Sequence, residues 1–203
     1  METVRKRMPA GERENVLIEK AIEVLASSNY RSATTSKIAS EAGVSEPVIY
    51  QHFDSKKDLF LAVLERIRTD ILEGWTCATD GVENPKTALR ILGAYHYRFI
   101  KENKAAEKIL FQAISEVDDP DIQASLRRHF AAFADFLSEF VRRGQDAGIM
   151  DPGIDDVMAG WIVLSFGIGT GSMSLFGFEE EIEQERLLDA YEVILSALDK
   201  KDQ

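Results

Sequence analysis

The 203-residue chain has a single cysteine, Cys77, so it cannot close a disulfide within itself. That usage suits a reducing compartment, and a cytoplasmic protein is expected. Cys77 has no histidine near it in sequence and reads as a small buried hydrophobe rather than a nucleophile. Its three histidines, His52, His96 and His129, are scattered, with no second histidine or cysteine at ligand spacing. No metal and no cofactor is therefore expected. The run Gly-Ile-Gly-Thr-Gly-Ser from Gly167 imitates a phosphate loop in letters only, because it follows no strand and holds no lysine. The acidic group Glu179, Glu180, Glu181, Glu183 and Glu185 lacks partners for acid–base work and suits a helix N-terminus instead. These absences leave no basis for an enzyme. Val4-Arg5-Lys6-Arg7 leads into polar residues rather than an apolar run, so no secretory leader is expected. Low-complexity tracts and internal repeats are absent.

Net negative charge is plentiful, at −11, but unevenly spread. Residues 1–68 hold 11 basic and 10 acidic residues, whereas the remainder holds 13 basic and 25 acidic. Phosphate attraction is local, since salt screens charges beyond roughly 10 Å. An acidic second half held away from a duplex does not prevent the first part from binding nucleic acid.

Apolar residues recur at helical spacing almost throughout, and β-branched runs between turn signals are rare. The spacing predicts an all-α fold of about nine helices, over roughly 12–28, 35–42, 45–52, 55–72, 85–101, 104–116, 120–147, 155–175 and 180–200. Asn29 ends the first in a left-handed cap. Thr34 or Thr35 caps the second, Ser45 the third, and Ser55-Lys56-Lys57-Asp58 opens the fourth with a capping-box pattern. Three helices form a head over residues 1–54, and residues 55–203 form a larger body.

Residues 13–60 place helix, capped short helix, Ala-Gly turn and second short helix in the order of a helix-turn-helix, which sets one helix into a major groove. Pro47, Val48, Tyr50 and Gln51 share one arc of the third helix, while Ile49 and Phe53 face the other way. Gln51 is able to pair with adenine through its amide, and Val48 and Pro47 to touch a thymine methyl. Tyr50, Ser45 and His52 suit phosphate contacts. Thr35 and Ser36 open the second helix and Lys56 the fourth, where exposed N–H groups favour phosphate. Arg5, Lys6 and Arg7 form an arm suited to the backbone or a minor groove. The third helix has no Arg or Lys, so it lacks the commonest guanine reader. Glu46 either accepts from a cytosine amine or favours the helix start.

The segments Thr-Thr-Ser-Lys-Ile-Ala-Ser-Glu-Ala-Gly-Val-Ser from Thr34 and Val-Ile-Tyr-Gln-His-Phe-Asp-Ser-Lys-Lys-Asp-Leu from Val48 resemble the DNA-binding signature of TetR-family bacterial transcriptional regulators. The resemblance implies that Thr35, Ser36, Pro47, Val48, Tyr50, Gln51, His52 and Lys56 face an operator. Family members usually have Gly where Asn29 stands, and many have Gly in place of Pro47, so no base preference carries over. The resemblance further implies a homodimer, an effector pocket in the body and, most often, a repressor that its effector releases from a palindromic double-stranded operator.

Residues 157–178 contain no charged side chain, a length able to span a bilayer. Glycines dilute this run, and acidic rather than basic residues flank it, so a membrane helix is not expected. It reads instead as a helix buried at a subunit interface. Trp161 and Leu164 on it, with Leu187, Tyr191, Ile194 and Leu198 on the last helix, are the expected dimer contacts. Trp75, Tyr95, His96, Phe99, Phe111, Phe133, Trp161 and Phe166 make an aromatic set from which a small, hydrophobic effector site is expected. The alternative is a helical protein-interaction module that uses residues 157–178 and binds no DNA.

Overall fold

A computed structural model of the chain describes residues 10–178, 180–181 and 183–200. Among them the fold is all-α. Its helices are α1 (Ala10–Ser27), α2 (Thr35–Glu41), α3 (Glu46–Ile49), α4 (Lys56–Thr79), α5 (Pro85–Glu102), α6 (Lys104–Ile114), α7 (Pro120–Asp146), α8 (Asp156–Leu175) and α9 (Gln184–Ser196). One isolated bridge, Met150 to Asp199, ties the turn after α7 to the end of α9.

Local chemistry explains most boundaries. Thr34 accepts from Lys37 N, Asn84 from Thr87 N, and Asp155 from Met158 N. Each satisfies a backbone donor that a helix start leaves unpaired. Ser55 accepts from Asp58 N at 3.1 Å and donates to Asp58 Oδ2 at 2.8 Å, closing the box that opens α4. Pro85 and Pro120 occupy first turns, where a missing N–H costs nothing.

Three expectations need correction. Asn29 is not left-handed, since no described non-glycine residue has positive φ. It ends α1 through its side chain instead: Asn29 Oδ1 accepts from Ser32 N at 2.9 Å. Ser45 starts α3 but makes no side-chain cap bond, and α3 is shorter than expected, with Tyr50 as its C-cap. Residues 50–52 continue as tight turns, in which His52 N reaches Ile49 O at 3.0 Å. Cys77 is exposed rather than buried.

The head core is built from Leu17, Ala21, Val24, Ile38, Ala39, Ile49 and Phe53, all buried. Gly43, at φ 65°, closes the turn between α2 and α3 in a backbone region that side chains disfavour. α1 also packs on α6, so head and body are in contact. In the body, α8 lies along α7. A Cβ on Gly160 would stand 2.7 Å from the Ala134 carbonyl oxygen, so only glycine permits this approach. By length and composition α8 could cross a membrane. It buries Ala159, Val163, Leu164, Thr170 and Ser174 against its own chain.

Candidate nucleic-acid interface and effector cavity

The short third helix offers a compact outward face. Ser36, Ser45, Pro47 and Gln51 are exposed, Tyr50 is 49% exposed, and Val48 and His52 are half-buried. Ile49 and Phe53 anchor the opposite side in the head core. The alternation follows from the helical repeat, which turns residues three and four apart to one side.

Two expected contacts are engaged within the head. Thr35 is buried and donates to Glu46 Oε1, while its hydroxyl lies 3.2 Å from Tyr50 Oη. This triad braces α3 against the start of α2, and it occupies the Glu46 carboxylate. Lys56 donates to Ala33 O at 2.9 Å and sits over the Tyr30 ring, 4.6 Å from its centroid. Partial burial holds its ammonium below the usual lysine range. Arg5, Lys6 and Arg7 lie outside the described residues.

In the body, α4 to α9 enclose an apolar cavity of about 100 Å³. Of the expected effector residues, Trp75, His96, Phe99, Phe111, Phe133 and Phe166 line it. Tyr95 and Trp161 do not. Tyr95 turns its hydroxyl against Gly74 on α4, and Trp161 is half-buried against the core. Leu110, Phe130 and Leu187 are lining residues that the aromatic pattern alone did not single out.

Polar groups in the wall are few. Glu107 is only 9% exposed, and its Oε2 has no hydrogen-bond partner. Burial pushes its carboxyl up to about 7. His96 Nε2 lies 2.9 Å from the Gly167 carbonyl, which requires the proton to be on that nitrogen. Burial lowers its pKa, so the ring is neutral. Thr170 donates to Phe166 O.

The bacterial regulatory protein family TetR, through its family model, matches residues 17–63. FasR of Mycolicibacterium smegmatis, an HTH-type transcriptional activator, is 32% identical over 143 residues, which is 70% of this chain and 64% of FasR. The match thus spans slightly less than two thirds of that relative's length. A TetR transcription regulator from Haloarcula marismortui has the same fold, with a TM-score of 0.83 at 17% identity over 94% of this chain and 100% of that one. Over residues 17–63 the chain is thus similar to the TetR family, and its fold is that of a TetR transcription regulator. The fatty acid degradation regulator FadR of Bacillus halodurans shares the fold at a TM-score of 0.76 and 16% identity, covering 94% of this chain and 95% of FadR.

The chain exposes a different side of its last two helices from the one its sequence suggests. Leu164, Tyr191 and Leu198 are buried within the chain itself, and Trp161, Leu187 and Ile194 are half-buried. The exposed apolar stripe on α8 is Met158, Ile162, Ser165, Gly169, Met173 and Phe176, recurring every three or four residues. On α9 it continues as Ala190, Val193 and Ala197. Apolar spacing alone cannot separate a stripe that packs inward from its neighbour that packs outward, because α8 is apolar all round.

Sequence reasoning also missed α6 as a link between cavity and head. Glu107, Leu110, Phe111 and Ile114 face the cavity. From the same helix, Lys108 Nζ donates to Ala26 O at 2.5 Å and Gln112 Nε2 to Leu25 O at 3.0 Å. Those carbonyls end α1. An ion pair joins the two parts as well, Arg31 to Glu116 at 2.8 Å.

Proposed function

We propose that this chain is a ligand-responsive DNA-binding transcription regulator, acting inside the cell as a homodimer on a palindromic operator. Residues 1–54 are the DNA-binding unit and 55–203 the ligand-binding and dimerisation unit. The observation that carries the reading is the exposed Pro47, Tyr50 and Gln51 face, set on a head whose helix ends are held by the wall of a cavity. Gln51 reads a base edge, and Ser36, Ser45, Tyr50 and His52 position the backbone. Thr35 acts by bracing Tyr50. Lys56 acts by holding the loop after α1, and its charge supports the nearby phosphate.

The exposed α8 and α9 stripe supports the dimer. Two copies of it would form a four-helix interface and set two recognition helices about 34 Å apart, one turn of duplex. The effector is a small, mainly hydrophobic molecule within the α4 to α9 cavity. The relative FadR is named for fatty acid degradation, which supports an aliphatic body for the ligand. Entry of the ligand displaces α6 and α4, and the Lys108 and Gln112 contacts carry that displacement to α1. The two heads then lose the groove spacing. Such a shift needs a ligand that prefers the non-binding spacing by a few kcal/mol.

Release of DNA makes the protein a repressor wherever its operator overlaps a promoter. The relative FasR is named an activator, which makes activation the second reading. Selection of sequences from a random duplex pool tests the reading. A two-fold symmetric consensus is the expected result. Absence of any enrichment from the folded dimer would instead favour a helical interaction module built on the apolar α8.

A further inference from the structure

The polar end of the cavity is built rather than incidental. α8 presents Gly167 and Gly171 one turn apart, about 6 Å along its axis. A Cβ on Gly171 would fall on the Glu107 carboxyl, 2.4 Å from its Cδ. A Cβ on Gly167 would lie 3.3 Å from His96 Nε2. The two glycines, therefore, are the slots in which the polar side chains of the cavity sit. The glycine-rich run that mimics a phosphate loop has this role.

What those side chains offer is acceptor capacity. Glu107 Oε2 is buried and unpartnered. His96 spends its Nε2–H on the Gly167 carbonyl, which leaves the Nδ1 lone pair as its other function. Thr170 spends its hydroxyl proton on Phe166 O. Among the described residues, no Lys or Arg lines the cavity. Phe99, Phe111 and Phe130 also line the cavity, and an aromatic ring attracts a cation placed over its face.

Resting on the effector-cavity reading above, we propose that the Glu107 and His96 end of the cavity binds the head of an amphipathic amine, an ammonium or other N–H donor carrying an apolar body. An ammonium pairs with the Glu107 carboxylate and restores the hydrogen bond its buried oxygen lacks. A carboxylate head would meet an acid with no cation to offset it, so a free fatty acid is disfavoured at this end. The ligand stabilises the charged form of Glu107, so amine affinity rises as pH rises through about 7. The groups that face Glu107 do not reverse this. His96 is neutral, burial keeps the Tyr191 phenol protonated, Thr170 and Gly171 carry no charge, and on α6 Lys108 is bound to Ala26 O while Lys104 lies one turn earlier.

The test uses the full chain and three probes of equal length, n-octylamine, 1-octanol and octanoate, followed by titration calorimetry and by the fluorescence of the cavity residue Trp75. At pH 8 octylamine is expected to bind at least ~10-fold more tightly than octanoate, a difference of ~1.4 kcal/mol. Glu107→Gln is expected to remove that preference while keeping octanol binding, which also reports an intact cavity. Octanoate binding as tightly as octylamine to the unmodified chain overturns the proposal, whatever the variant does. A preference that survives Glu107→Gln overturns it too. If octanol binds and no amine preference appears, only this inference falls. If none of the three binds, the effector-cavity reading falls with it.

Discussion

The head and the body treat their buried polar atoms differently. Among the described residues, the buried side-chain atoms with no hydrogen-bond partner are Glu107 Oε2, Gln112 Oε1 and His129 Nε2. All lie on α6 or α7. In the head, Thr35 is buried but satisfied by Glu46 and Tyr50. Buried polar groups usually find partners, and an unpaired one costs roughly 1–3 kcal/mol. The head is thus a finished unit that presents a fixed face. The body holds unmet hydrogen-bonding capacity, and one of its three unpaired atoms, Glu107 Oε2, lies in the cavity wall, where a ligand can meet it.

The largest effect should come from breaking the pairing of two bodies while leaving each head whole. Ile162 is 54% exposed at the centre of the α8 stripe. Ile162→Glu is expected to give folded monomers in sedimentation and to lose operator binding, since one head alone makes half the contacts. A dimer that persists would move the interface off this stripe.

Paired glycine substitutions compare the rigidity of the two parts. Gly160→Ala places a Cβ 2.7 Å from a backbone carbonyl and 2.1 Å from Ser138 Oγ, so α7 and α8 must separate. A loss of roughly 2–3 kcal/mol in urea unfolding is expected. Gly43→Ala meets no atom within 4 Å and bears only the strain of φ 65°. Its loss should be about 1 kcal/mol. Equal losses would contradict the close α7 to α8 contact.

Two body residues should give opposite pH dependences. Glu107 is raised to about 7 by burial, above its unfolded value. Its contribution to stability is full below about pH 4.5 and is lost as pH rises through about 7. Glu107→Gln should therefore gain on the unmodified chain at pH 8, by about 3 kcal/mol, and gain almost nothing at pH 4.5. His129 is 1% exposed, and burial, then the charge of Arg68, lowers it to about 4. Its contribution is full above about pH 6.5 and is lost as pH falls through about 4. His129→Phe should flatten the acid limb of the stability profile. Denaturation midpoints taken from pH 4 to pH 8 check both.

The finest comparison lies within the head. Gln51→Ala should relax preference at one base position, by roughly 1–2 kcal/mol, with other positions unchanged. Tyr50→Phe should weaken binding to all sequences alike, because it removes a hydroxyl that positions rather than reads. Binding to a panel of single-base operator variants separates the two. If Gln51→Ala leaves every position unchanged, α3 enters the groove in another orientation.

The sequence by itself determined the all-α class, the order of the helices and the location of the helix-turn-helix. Those depend on signals that act over a few residues: caps such as Ser55 with Asp58, breakers such as Asn84-Pro85, and the three-to-four spacing of apolar side chains. Part of the cavity site was legible in the same way. Glu107 stands three, four and seven residues before Leu110, Phe111 and Ile114, on the apolar side of α6, and that spacing was a usable sign that it is buried. Only the tertiary structure decided that Tyr95 and Trp161 stay out of the cavity, that Thr35 and Lys56 are engaged inside the head, and that Met158, Ile162 and Phe176 rather than Leu164, Tyr191 and Leu198 face outward. The reason is physical. A helix that is apolar on every side carries no mark of which neighbour each face will meet, and that choice is made by contacts between residues far apart in the chain.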